Sequence, residues 1–69
     1  MTLPHNIERR LYRNGYTNAP YRAWDGAGRV WFIAGPAGQW SARCRDDEAL
    51  PVVVGATLAR VSAKLGAMA

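Results

Sequence analysis

The run RVWFIA is apolar after its first residue, QWSARCR alternates polar with apolar positions, and Gly35-Pro36-Ala37-Gly38 joins them. Two such aromatic-rich runs broken by a Pro/Gly turn predict a β-hairpin. Pro36 suits the second position of a type I turn and Gly38 can take the positive φ that follows, so a three-residue loop closed by a glycine bulge is expected. Gly35 then pairs with Gln39, which sets Ala34 against Trp40, Phe32 against Ala42 and Val30 against Cys44 on one wholly apolar face. The other face carries Arg29, Trp31, Ile33, Gln39, Ser41 and Arg43, with Trp31 opposite Arg43 and within stacking reach of its guanidinium. A two-residue turn would shift the register by one and mix the two faces.

Tyr21 to Trp24 predicts a further strand, ending at the turn Asp25-Gly26-Ala27-Gly28. Pairing Trp24 with Arg29 brings Ala23 to Val30 and Tyr21 to Phe32 on the core face, and Arg22 to Trp31 on the outer face. Both hairpins thus assign the same faces to the strand they share. Leu50 to Val54 is β-branched and apolar and predicts a fourth strand, which Pro51 restricts to an edge or to its first residues. Thr57 is the expected N-cap of a C-terminal helix, because Leu58, Val61, Leu65 and Met68 fall at spacings of three, four and three while Arg60 and Lys64 lie on the solvent side. This helix is expected to cover the Val30, Phe32, Trp40 and Cys44 face. In residues 4–13, Leu3, Ile7 and Leu11 form one helical stripe with Pro4 in the first turn and Gly15 as a stop, predicting a short N-terminal helix; a hairpin turning at Asn14-Gly15 is the alternative. The reading is one α+β domain over residues 1–69, with a three- to four-stranded antiparallel sheet packed on one face by the C-terminal helix.

Charge sharpens the picture. Nine basic residues stand against five acidic ones, for a net charge of +4, and eight of the nine are arginine. Arginine is the cation best suited to bidentate and stacked contacts, so an acidic or polyanionic partner is expected. A lone cysteine, Cys44, excludes an internal disulfide and fits a reducing, cytoplasmic setting; it falls on the apolar face, where a thiol is a core residue. No run approaches the ~18 apolar residues of a membrane span. The opening Met1-Thr2-Leu3-Pro4 lacks the basic start and apolar core of a secretion signal. A chain this short buries only about 60% of the surface its unfolded form exposes, so dimerisation or partner binding is expected to supplement its stability, as a monomer or a homodimer.

Catalytic machinery is not expected. His5 is the only histidine and sits near a terminus, Asp46, Asp47 and Glu48 are neighbours in a solvated loop, and one His with one Cys cannot make a tetrahedral zinc site. The glycine clusters lie in hairpin turns rather than between a strand and a helix, which excludes phosphate-cradling motifs. The reading is therefore a binding module with no enzymatic activity, metal or cofactor. Its candidate contact residues are Arg22, Trp24, Arg29, Trp31, Ile33 and Arg43, with Arg9, Arg10 and Arg13 as a secondary basic patch. Trp and Arg dominate protein-binding hot spots, which points to a protein partner. Arginines on phosphates with aromatics stacked on bases would instead make the same face a DNA- or RNA-binding surface. A third possibility is that a further element covers Trp31 and Ile33 as a second small core.

The succession GRVWFIAG, GQWSARCR, LPVVVGA, TLARVSAKLGA resembles, over residues 21–68, the three-strand-plus-helix layout of integrase arm-binding and plant AP2-type DNA-binding domains. That resemblance implies a sheet that enters the major groove. In size and lone-module construction the chain also resembles small inhibitor proteins carried by phages and mobile elements, such as anti-CRISPR proteins. This second resemblance implies a protein that acts by occupying a surface on a larger protein or ribonucleoprotein complex.

Overall fold

The computed structural model of the chain describes residues 3–10 and 20–69. Five strands and one helix follow in order: β1 (Ile7–Arg9), β2 (Tyr21–Trp24), β3 (Val30–Ala34), β4 (Trp40–Cys44), β5 (Val53–Gly55) and α1 (Leu58–Gly66). The strands form one antiparallel meander in the order β1-β2-β3-β4-β5, and α1 packs across one face of it. The α+β class, the antiparallel sheet and the C-terminal helix agree with the sequence; the described residues hold five strands, and residues 7–9 are a strand instead of part of an N-terminal helix. The alternative hairpin arms, Leu11–Arg13 and Tyr16–Thr17, lie outside the described residues.

The N-terminal segment is extended because tertiary contacts outweigh its helical spacing. Pro4 opens a turn, its carbonyl accepting from the Ile7 amide at 3.0 Å, and Ile7 then drops into the core at 5% exposure. Asn6 fastens this strand in place. Its backbone carbonyl accepts from Trp24 N, and its side-chain amide donates to the carbonyls of Trp24 (3.0 Å) and Ser62 (3.3 Å). The Ser62 hydroxyl donates to Asn6 Oδ1 in return. One amide thus joins β1, β2 and the middle of α1.

In the core, Trp31, Ile33, Ala23, Ala42, Val61 and Leu65 are wholly buried, and Ile7, Cys44 and Leu58 nearly so. α1 starts as expected: the Thr57 hydroxyl accepts from Arg60 N at 3.1 Å, and Leu58, Val61 and Leu65 face the sheet. The faces of β2 and β4 also match the sequence, with Ala23, Ala42 and Cys44 inside. β3 is turned over. Trp31 pairs with Cys44 and Ile33 with Ala42, while Phe32 opposes Arg43. On the other side, Trp24 pairs with Val30 and Ala23 with Trp31. Val30 and Phe32 therefore leave the predicted core face, and Trp31 and Ile33 take their place beneath α1.

The physical reason is that both turns flanking β3 close one residue tighter than expected, around residues 26–28 in the first, where Asp25 N donates to the Arg29 carbonyl at 3.1 Å, and around the two residues 37–38 in the second. In the first, the Asp25 carboxylate organises the loop from Asp25 to Arg29: Oδ1 accepts from the Ala27 and Arg29 amides, each at 2.9 Å, and Oδ2 from Arg29 Nε at 2.6 Å. The Trp31 indole N–H reaches the same Oδ2 at 2.8 Å, which gives an inward-facing tryptophan the partner it requires. In the second turn Pro36 stands first instead of second, its carbonyl accepting from Gln39 N at 2.9 Å, and Gly38 supplies the positive φ of 90°.

The Asp25 loop also seats the end of the helix. Gly26 N donates to the Leu65 carbonyl at 3.0 Å and Arg29 Nη2 to the Ala69 carbonyl at 3.1 Å. A side chain on Gly26 would collide with the carbonyl oxygens of Gly66 and Met68, so only glycine permits this approach. Burial pushes the Asp25 carboxyl upward, but the hydrogen bonds from Trp31, Arg29 and the two amides outweigh it and hold it down at about 2.

Because the folded value lies below the ordinary carboxylate value of ~4, the unfolded chain binds the proton more readily. The stabilisation is complete above that value and is lost as pH falls towards 2, on the order of 2 kcal/mol in all. Thermal melts from pH 5 to 2 are expected to show this loss in the wild type. Asp25→Asn is expected to start less stable at pH 5 and to show a flatter profile.

Candidate functional site

The sheet has a second face, opposite α1, and strand alternation fixes its members. Glu8, Arg22, Phe32 and Arg43 form one row across β1 to β4. The neighbouring rows hold Trp24 with Val30, and Ala34 with Ser41 and Val54. Among the described residues no element packs over this face. Trp24, Val30, Phe32 and Ala34 are half-buried, and Val52 and Val54 at the β5 side are 45% and 57% exposed.

Guanidinium groups lie on its aromatic rings. The Arg10 guanidinium carbon is 4.2 Å from the centroid of Phe32, and that of Arg22 is 5.5 Å from the Trp24 ring. Arg22 also donates from Nε to Glu8 at 2.8 Å and forms an ion pair with it. Cation–π contact and the ion pair thus both hold the Arg22 guanidinium against this face. Arg43 is exposed and has no ion-pair or hydrogen-bond partner among the described residues. Three arginines against one glutamate leave the face cationic around an apolar centre. At its lower rim the Val30 amide donates to Asp46 Oδ2 at 2.9 Å and the Arg45 guanidinium contacts Oδ1 at 3.0 Å; these two interactions lower the Asp46 carboxyl below its usual range.

Of the residues singled out from the sequence, Arg22, Trp24 and Arg43 come together here. Trp31 and Ile33 do not: the register of β3 buries both completely under α1, so the expected stacking of Arg43 on Trp31 is replaced by Phe32 opposite Arg43. Arg29 lies at the end of the sheet, bound to Asp25 and the C-terminal carbonyl. The secondary patch divides, because neighbouring residues of an extended segment point to opposite faces. Arg9 is exposed in register with Tyr21 on the helix side, Arg10 joins the outer face, and Arg13 lies outside the described residues. Sequence reasoning missed Phe32 and Val30 as members of the site, and named Arg10 only in the separate secondary patch. The indole N–H of Trp31 was the available signal, since an inward tryptophan beside a loop aspartate has a partner and an inward phenylalanine needs none.

His5 is exposed in the Pro4–Ile7 turn, Cys44 is buried at 6% exposure, and no group of three His, Cys, Asp or Glu among the described residues could hold a metal ion. No helix among the described residues is long and apolar enough to cross a membrane. Comparison of the chain with protein-family models, with curated proteins and with solved structures found no match.

The reversed β3 makes a direct prediction. Ile33→Asp places a charge in the core with no partner and is expected to unfold the chain, since such burial exceeds the margin of a domain this small. Phe32→Asp sets a carboxylate among Arg10, Arg22 and Arg43 and is expected to leave a soluble, cooperatively melting protein. Melting curves and one-dimensional proton spectra of the two variants decide the register; the opposite ranking would restore the expected one.

Proposed function

We propose that this chain is a small non-catalytic binding module that docks on a larger protein or ribonucleoprotein complex, as an inhibitor or adaptor, through the sheet face opposite α1. The observation that carries the reading is Phe32 at the centre of that face, ringed by Arg10, Arg22 and Arg43, with Val52 and Val54 extending the apolar surface. An apolar centre within a rim of arginine is the composition of a protein-binding hot spot. The partner surface that complements it is apolar at its middle and acidic at its border. The resemblance to small phage inhibitors supports the same reading.

A nucleic acid is the second reading, favoured by the net charge of +4. Base stacking needs an open ring face, however, and Arg10 and Arg22 already occupy faces of Phe32 and Trp24. This weighs towards protein.

The test is co-purification of the tagged chain from its host with and without nuclease, repeated with Phe32→Ala and Arg43→Glu. A nuclease-resistant protein partner is expected, and each variant is expected to weaken it by about 2 kcal/mol or more without lowering the melting temperature to match. Salt should weaken the complex modestly. Loss of the partner on nuclease treatment, or affinity falling by orders of magnitude between low and moderate salt, would make nucleic acid the ligand.

A further inference from the structure

On the helix side, at the end of the sheet that carries the Gly35–Gln39 loop, Trp40 stands between two open cavities. One, of about 380 Å3, is walled by Leu3, Pro4, Tyr21, Leu58 and the Trp40 ring and is mostly apolar. The other, of about 340 Å3, is bounded by Trp40, Gln39, Arg60 and Lys64. Both also share Gly38 and Ala56, so they are the apolar and cationic halves of one cleft.

Its dividing wall is fixed. Tyr21 meets Trp40 edge to face, with ring centroids 5.4 Å apart and planes at 79°. On another side the backbone of Gly35 lies so close that a methyl group there would come within 2.9 Å of the indole. Such a pre-formed aromatic wall costs little ordering when a ligand binds.

The cationic half lacks a counter-charge of its own. Lys64 Nζ donates to the Val54 carbonyl at 2.6 Å and keeps two further N–H groups, while the Arg60 guanidinium has no acceptor among the described residues. No acidic residue lines either half. Glu8 is paired with Arg22 on the other face, Asp25 is buried, and Asp46, Asp47 and Glu48 lie beyond the opposite end of β4. A second copy, itself carrying +4, is therefore a poor electrostatic match.

We propose that this cleft binds a short acidic segment of a partner protein. An aromatic or aliphatic side chain enters between Tyr21, Trp40 and Leu58, and a neighbouring carboxylate meets Arg60 and Lys64. The site goes beyond the sheet-face reading and does not depend on it, since α1 and the sheet separate the two surfaces.

The probe is the capped peptide acetyl-Gly-Phe-Asp-Glu-Gly-amide, titrated into the 15N-labelled full chain. Saturable shifts are expected at the Trp40 indole N–H and at the Gly38, Ala56 and Arg60 amides. Arg60→Glu is expected to weaken binding about tenfold or more. Gly35→Ala, which displaces the indole, is expected to weaken it as well. A peptide with Lys in place of both acids, or Ser in place of Phe, is expected to give no saturable shift. Phe32→Ala and Arg43→Glu are expected to leave the titration unchanged, which keeps this result separate from the fate of the sheet-face reading. The proposal is overturned by an absence of saturable shifts at millimolar peptide, by shifts confined to the Phe32 and Arg43 face, or by binding that Arg60→Glu does not alter. Peptide-free shifts at the cleft amides that grow with protein concentration would also overturn it, because the occupant would then be a second copy.

Discussion

A single buried carboxylate governs how this chain folds. Asp25 accepts from two loop amides, from the Arg29 guanidinium and from the Trp31 indole, so one side chain sets the length of the β2–β3 turn and the facing of β3 together. Because side chains alternate along a strand, settling the direction of Trp31 settles that of every residue in β3. The outward position of Phe32 is a consequence of the inward position of Trp31. The same loop holds the last carbonyls of α1 through Gly26 and Arg29, so the layer that closes the core is tied to the group that orients the sheet.

Much of the architecture was legible in the residues. The Thr57 cap, the Leu58–Val61–Leu65 stripe, the strand bounds of Tyr21–Trp24 and the inward faces of β2 and β4 all follow from local pattern, because a charged side chain (Arg22 in β2, Arg43 in β4, Arg60 and Lys64 in α1) marks the outward side of each element. β3 is not: Val30, Trp31, Phe32, Ile33 and Ala34 are apolar on both sides, and alternation cannot choose between them. The agreement of two expected hairpin registers gave no independent check. A slip of the shared strand changes both pairings together, so two turns each taken one residue too long agree with one another on the wrong face. The extended N-terminal segment was hidden for another reason, since Ile7 fits a helical stripe and a strand equally well, and the contacts of Asn6 with Trp24 and Ser62 that decide the matter are remote in sequence.

The candidate site was partly legible for the same reason. Arg22, Trp24 and Arg43 lie on strands whose facing the pattern does fix, and they come together as expected. Trp31 and Ile33 were assigned by β3 and went with it. The Arg/aromatic character of the outer face nevertheless survives the reversal, because β3 supplies Phe32 where Trp31 was expected and Arg10, just after β1, lies on it. The cleft beside Trp40 left no mark in periodicity at all: it arises where a turn, a strand end and a helix start converge, and only tertiary structure brings Tyr21, Trp40 and Arg60 into one neighbourhood.

The hydrogen bond from Lys64 to the Val54 carbonyl bears on colloidal behaviour as well as on ligand binding. β5 is the outermost strand on its side, short and rich in valine, and strands of that kind invite intermolecular pairing into aggregates. An incoming strand there would have to strip the ammonium group from the Val54 oxygen and then lie beside that unneutralised charge. The helix that completes the core therefore also carries the gatekeeper of the open edge. Losing the Lys64 charge would leave the Val54 carbonyl on this edge without that donor and without the charge beside it.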